Sequence, residues 1–245
     1  MKVLILAAGY GTRLYPLTKN IPKPLLPIGE RTLLDCLVKK IDKLKSMTET
    51  ILVTNEKFFG VFQDWKEQRK DFSHPVTIVN DATTTPENRL GAMGDVQLVL
   101  KQYRPKEDLL VIGGDNLFDE TLEAFLSFAL AKKPKVTIGV YDIRSQERAK
   151  TFGVVQMDSQ NRVTAFFEKP SQPPSTLIAM CLYFFPMETL PYVAEYLNQT
   201  KSSDTTGDYI HWILGKDVIY GFKFGGKWYD IGSIEAYHEA QREFK

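Results

Sequence analysis

The stretch Leu4-Ile5-Leu6-Ala7-Ala8-Gly9-Tyr10-Gly11-Thr12-Arg13-Leu14, followed by Pro22-Lys23-Pro24-Leu25-Leu26-Pro27, decides how the rest of this chain is read. A short apolar run with the character of a buried strand breaks into a turn carrying two glycines. Glycine lets the backbone bend sharply and bring N–H groups up to phosphate oxygens. Arg13 and Lys23 then supply cations where a polyphosphate would need neutralising. Pro22 and Pro24 restrict the backbone on both sides of Lys23, so an extended, stiff loop is expected there. Two commoner glycine motifs fail. The dinucleotide fingerprint needs a third glycine where Leu14 stands, and no Gly-Lys-Ser/Thr closes the turn as a P-loop requires.

The 245 residues are enough to bury a sizeable core as one large domain or two small ones. Charged residues make up 25% and aromatics 12%, the profile of a globular chain. With a formal net charge of +1, composition points to neither nucleic acid nor a membrane surface as partner. Phosphate chemistry must therefore come from locally placed cations. Cys36 and Cys181 lie far apart in apolar segments, which suits a reducing cytoplasm and neither a disulfide scaffold nor a cysteine zinc site. Lys2 and the apolar run before Ala7-Ala8-Gly9 mimic a signal peptide, but the ordered stretch that follows makes a first β-strand the better reading.

Apolar runs at Val3–Ala7, Thr50–Thr54, Val76–Val79 and Leu109–Ile112 read as buried strands. They alternate with helical spacing over Thr32–Lys45, Phe58–Arg69 and Asp95–Tyr103. Helix Glu120–Ala131 and strand Lys135–Tyr141 continue the alternation, the signature of βαβ units around a mostly parallel sheet. Beyond that point Gly153–Met157, Val163–Glu168 and Leu177–Phe185 follow one another without helices, so an antiparallel portion is expected. Gln172–Ser175 and Lys201–Gly207 read as polar loops, and a helix over Ser233–Phe244 follows. The expectation is one compact domain over residues 1–245, a nucleotide-binding half to about 140 and a substrate-binding half from about 141.

Three further segments could carry chemistry. Asp115 in Gly113-Gly114-Asp115-Asn116 stands at the end of a strand, where α/β ligand sites form, and is a hard oxygen ligand suited to Mg2+. Its competing role is an Asx turn or the N-cap of a helix after Phe118. Asp230 in Trp228-Tyr229-Asp230-Ile231-Gly232 offers a second carboxylate, again with helix capping as the alternative. Glu168-Lys169-Pro170 ends a strand with a carboxylate that can accept from sugar hydroxyls and an ammonium that can hold a phosphate. His74, His211 and His238 show no metal spacing, and no Gly-x-Ser-x-Gly elbow is present.

Taken in order, these motifs resemble those of the sugar-1-phosphate nucleotidyltransferases, or NDP-sugar pyrophosphorylases. The opening run through Pro27, Gly114-Asp115-Asn116, Glu168-Lys169-Pro170 and Trp228-x-Asp230-x-Gly232 follow the family's sequence of motifs nearly end to end. The resemblance implies a Rossmann-like three-layer α/β/α domain and the condensation of an NTP with a sugar 1-phosphate to an NDP-sugar and pyrophosphate. It further implies that Ala8, Gly9, Gly11 and Asp115 contact the nucleotide, that Arg13 holds the departing pyrophosphate and that Lys23 neutralises the α-phosphate. Asp115 and Asp230 would bind Mg2+, while Gly153, Glu168 and Lys169 would hold the sugar phosphate. Family members often carry Gly-Thr-Ala-Gly-Ala against the base. Here Asn88-Arg89-Leu90-Gly91-Ala92-Met93-Gly94-Asp95 stands instead, with Gly91 as the glycine approaching the base, and the base itself stays open. Asp208 in Thr206-Gly207-Asp208-Tyr209 either contacts the acceptor or caps the helix after it.

No β-helical repeat is visible, which argues against the bifunctional acetyltransferase and allosteric ADP-glucose types. Homo-oligomers accord with the resemblance, although no segment announces an interface. The alternatives are a cytidylyltransferase for a non-sugar phosphate such as phosphocholine, a GT-A-type glycosyltransferase, and an NDP-sugar sensor without turnover.

Overall fold

A computed structural model of the chain describes residues 1–69, 71–200 and 204–244. Thirteen strands are present among them: β1 (Lys2–Leu6), β2 (Pro27–Ile28), β3 (Arg31–Thr32), β4 (Glu49–Thr54), β5 (Val76–Asn80), β6 (Leu109–Gly113), β7 (Asn116–Phe118), β8 (Val136–Asp142), β9 (Gly153–Met157), β10 (Val163–Glu168), β11 (Leu177–Phe185), β12 (Ile219–Phe224) and β13 (Trp228–Asp230). The helices are α1 (Leu33–Ile41), α2 (Glu56–Gln68), α3 (Ala92–Tyr103), α4 (Leu122–Ala131), α5 (Gln146–Ala149), α6 (Pro191–Thr200), α7 (Thr206–Leu214) and α8 (Ile234–Glu243). Among the described residues no helix is long and apolar enough to cross a membrane.

Two compact units divide the chain, and chain order does not separate them. The first takes Met1–Leu90, Ile112–Leu122 and Gly226–Lys245; the second takes Gly91–Val111 and Glu123–Gly225.

In the first unit β1 pairs in parallel with β4, and β4 with β5. Val3, Leu4 and Ile5 of β1 and Ile51, Leu52 and Val53 of β4 are fully buried, as expected of strands covered on both faces. Helix α1 turns Leu33, Leu34, Leu37, Val38 and Ile41 inward. It is shorter than the periodicity over Thr32–Lys45 suggests, because Leu44 N–H bonds the Ile41 carbonyl and folds the chain into a turn. A second apolar cluster joins Leu14, Leu26, Ile28 and Leu33 to Leu117, Tyr229, Ile231, Tyr237 and Ala240. It places the antiparallel ribbon β7–β13 and helix α8 against the N-terminal loops, with the Tyr237 hydroxyl donating to the Pro27 carbonyl at 2.7 Å.

Asp35 links α1 to α2. Its carboxylate accepts from Thr32 N–H (3.0 Å) and hydroxyl (2.7 Å), Trp65 Nε1 (3.1 Å) and Arg69 Nη1 (2.8 Å). Burial pushes its pKa up, but the bonds from Thr32, Trp65 and Arg69 outweigh that and hold it below the usual carboxylate range. A lowered folded pKa stabilises the fold above the unfolded value and loses that contribution as pH falls through the folded one. Asp35→Ala is therefore expected to cost about 1–3 kcal/mol at pH 7. Urea unfolding at pH 7 and at pH 3 measures this, and the deficit should shrink at the acid value; an equal deficit at both would remove the carboxylate from the account.

In the second unit β8 and β12 run parallel, while β11 is antiparallel to both β8 and β9, and β9 to β10. The mostly parallel sheet with an antiparallel portion read from the sequence is thus what the chain forms. Strand β11 carries a register shift between Ala179 and Tyr183, and Cys181 within it has φ +52°, in the left-handed region. Helix α3 starts three residues earlier than its apolar spacing suggests, because Gly91 at φ +77° caps it and accepts from Asp95 N–H. The polar loop expected over Lys201–Gly207 is corrected at its end, since Thr206 and Gly207 open α7; Lys201–Ser203 lie outside the described residues.

Candidate active site

The first unit holds a cavity of about 400 Å³ lined by Gly9, Tyr10, Gly11, Thr12 and Arg13 on one segment, with Lys23, Pro86, Arg89, Asp115 and Gly232 contributing from four others. Strand β1 delivers the glycine turn to it. Asn55 pins the turn from below: its side-chain amide donates to the Ala8 carbonyl at 2.9 Å while its Oδ1 caps α2. Ala8 is consequently buried and does not line the cavity, unlike Gly9 and Gly11. Gly11 has φ +64°, and the Thr18 hydroxyl donates to its carbonyl at 2.7 Å. A side chain at 11 would be strained and would press on Thr18, so the turn depends on glycine here.

Lys23 lies in a single 3-10 turn over Lys23–Leu25, correcting the expected extended loop. Pro22 caps that turn in an extended conformation, and Pro24 costs nothing at its second position because the first N–H groups of a helical turn lack partners. Lys23 Nζ donates to Asp115 Oδ2 at 2.6 Å, with the lysine side chain 13% and the aspartate 35% exposed. Burial alone would raise the Asp115 pKa; the Lys23 ammonium, through charge and hydrogen bond, and Arg13 more weakly, hold it below the usual range.

The chain segments that carry the two carboxylates lie side by side. Asp230 ends β13 and pairs in register with Asn116, the neighbour of Asp115. The buried Trp228 indole donates to Asn116 Oδ1 at 2.8 Å and locks that register. A Cβ built on Gly232 would lie 2.7 Å from Asp230 Oδ2 and 4.0 Å from Arg13 Nη1, which puts the guanidinium in the same neighbourhood. Neither aspartate caps a helix: Asn116–Phe118 is a strand, and Ser233 caps α8 by accepting from Ala236 N–H. Asp115 on the wall of a cation-lined cavity, with Asp230 close to the wall residue Gly232, suits a hard divalent ion, which takes few protein carboxylates. Among the described residues no group of three or more acidic, histidine or cysteine side chains assembles to hold a metal.

A second cavity, of about 250 Å³, lies within the second unit and is lined by Gly153, Glu168, Lys169, Cys181, Tyr183 and Gly207 among others. Glu168 ends β10 opposite Gly153 of β9. Lys169 Nζ stands 3.2 Å from Glu168 Oε1, and Lys169 itself has φ +45°. The Tyr183 hydroxyl shares a 2.9 Å hydrogen bond with Thr206 Oγ1, and burial drives its pKa well up. Asp208 does not line this cavity. Its carboxylate accepts from the Thr205 hydroxyl at 2.8 Å while its N–H donates back to Thr205 at 3.1 Å, a capping role. Gly91 likewise serves as the cap of α3, and the wall of the first cavity from that segment is Pro86 and Arg89. Residue order marks Arg89, Thr206 and Gly207 only as neighbours of Gly91 and Asp208, and Tyr183 only as part of a strand.

A family model described as Nucleotidyl transferase matches residues 2–245. The chain belongs to the nucleotidyl transferase family. It is 30% identical over 254 residues to the glucose-1-phosphate adenylyltransferase of Thermosipho africanus, covering 98% of this chain and 60% of that one. Against the bifunctional protein GlmU of Methanocaldococcus jannaschii it is 30% identical over 237 residues, 95% of this chain and 51% of the relative. The chain thus spans about three fifths or less of these curated relatives. A UDP-glucose pyrophosphorylase solved with UDP-glucose has the same fold, with a TM-score of 0.83 at 22% identity over 99% of this chain and 97% of that one.

Proposed function

We propose that this chain condenses an NTP with a sugar 1-phosphate to give an NDP-sugar and pyrophosphate, in the cytoplasm and with Mg2+. The observation that carries the reading is the first cavity, where Gly9, Gly11, Arg13, Lys23 and Asp115 line one space beside Asp230. Backbone N–H groups of the glycine turn take phosphate oxygens. A sugar-phosphate oxygen attacks the α-phosphorus in line, the bond to the bridging oxygen breaks, and pyrophosphate leaves toward Arg13. Lys23 exchanges Asp115 for the α-phosphate as negative charge grows there. Asp115 and Asp230 would hold Mg2+, which when bound would supply further positive charge against the phosphate oxygens. Positioning and charge stabilisation do the rest, as phosphoryl chemistry requires little covalent work from the protein.

Glu168 accepts from sugar hydroxyls and Lys169 grips the sugar phosphate. Lys169→Ala is accordingly expected to raise KM for the sugar 1-phosphate by on the order of tenfold or more, the loss of a charge-assisted bond. Initial rates with each substrate varied in turn measure it. An effect confined to the NTP would reverse the assignment.

The reading as a whole is tested by pyrophosphate release with Mg2+. UTP, dTTP, CTP, GTP and ATP are crossed with glucose, mannose and N-acetylglucosamine 1-phosphates, and with phosphocholine. One strongly preferred NTP and sugar 1-phosphate is expected. Release with phosphocholine alone, or with nothing in the panel, would overturn it.

A further inference from the structure

Gly207 is the second residue of α7, and its surroundings are unusually constrained for so small a residue. Thr205 and Asp208 cap the helix reciprocally, the Tyr183 hydroxyl holds Thr206, and His211 Nδ1 lies 3.0 Å from the Phe166 carbonyl on β10. The first turn of α7 is therefore fixed against the end of β10, where Glu168 stands. A Cβ built on Gly207 would collide with Glu168 Oε2, stand 2.9 Å from its Cδ and 3.2 Å from Phe166 Cε1. From the other side, a Cβ on Gly153 would lie 3.2 Å from the same Oε2 and collide with Phe166 Cζ. Bare backbone on both sides thus receives one carboxylate oxygen, while Oε1 faces Lys169.

We propose that Gly207 is a positioning residue for the sugar-phosphate acceptor. The missing side chain is what lets Glu168 lie along the cavity wall with its carboxylate aimed by Lys169, and any Cβ at 207 expels it. The inference rests on the functional reading above, because it takes Glu168 as the group that meets the acceptor's hydroxyls. It concerns acceptor recognition only: the nucleotide cavity has no residue from α7 among those that line it.

The substitution Gly207→Ala separates this from a structural role, since alanine is the better helix former and burdens the backbone of α7 not at all. Thermal unfolding should give Tm within about 2 °C of the parent or above it. With the preferred substrate pair, KM for the sugar 1-phosphate should rise by on the order of tenfold or more while KM for the NTP stays within about twofold. Shortening the displaced acid in Gly207→Ala/Glu168→Asp should recover part of the lost acceptor affinity. Unchanged acceptor KM, equal losses for both substrates, or no recovery in the double variant would overturn the proposal.

A crystal structure of Gly207→Ala without substrates reads the seat itself. Glu168 turned away from α7 supports the proposal, and Glu168 in its original place ends it. That readout is independent of turnover, so a parent protein inactive with every sugar 1-phosphate would sink the functional reading and leave this test standing.

Discussion

Lys23→Ala is expected to lower kcat by on the order of 10²–10³-fold, the cost of losing one preorganised donor to charge that develops in the transition state. The side chain is 13% exposed, and its ammonium lies 2.6 Å from Asp115, so it is already desolvated and aimed before any substrate arrives. Little reorganisation remains to be done at the moment of reaction. The fold should survive, because the partner carboxylate is 35% exposed and water can take over its solvation. Steady-state rates together with a melting curve measure both halves of the expectation. A change in kcat below about threefold would exclude Lys23 from the chemistry.

Asp115→Asn and Asp230→Asn form the second large effect. Each keeps the shape of the side chain while removing a negative charge from the two segments that the pairing of β7 with β13 sets side by side. A hard divalent ion depends on that charge, so Mg2+ dependence should weaken strongly and kcat/KM should drop by on the order of 10²-fold or more. Binding of Mn2+, followed by electron paramagnetic resonance in the absence of nucleotide, reports the same loss without turnover. Two variants with parental metal titrations would rule out this pair as the metal seat.

Much of this arrangement was legible from residue order. The strand of β1 and the glycine turn after it announce themselves through an apolar run that stops abruptly at Gly9, and Arg13 and Lys23 follow at short range. Asp115 was readable for a similar reason, as a charged residue at the end of β6. The pairing of its segment with that of Asp230 was not. That pairing is set by two strands of three residues each, too short to carry any period, and by one buried bond from Trp228 to Asn116. For Asp208 residue order leaves a helix cap and an acceptor ligand equally open, because an aspartate three residues after a threonine serves either. Gly207 and Tyr183 escaped because their importance lies in what they approach across the fold. The turn at Lys23 misled because proline disfavours helix interiors yet is welcome in a first turn.

The way the first unit is threaded has a consequence for how this chain comes off the ribosome. That unit is assembled from three separated pieces, and its last piece, Gly226–Lys245, supplies β13, Asp230 and α8. The second unit has all its residues once Gly225 has been made. During vectorial synthesis the first unit must therefore hold its N-terminal strands with Tyr229, Ile231 and Tyr237 still missing from their apolar cluster. Its completion is a long-range closure, paid in chain entropy, that joins residues more than two hundred positions apart, as the bond from Tyr237 to Pro27 does. Asp230 can join the segment of Asp115 only after every residue of the second unit has been made.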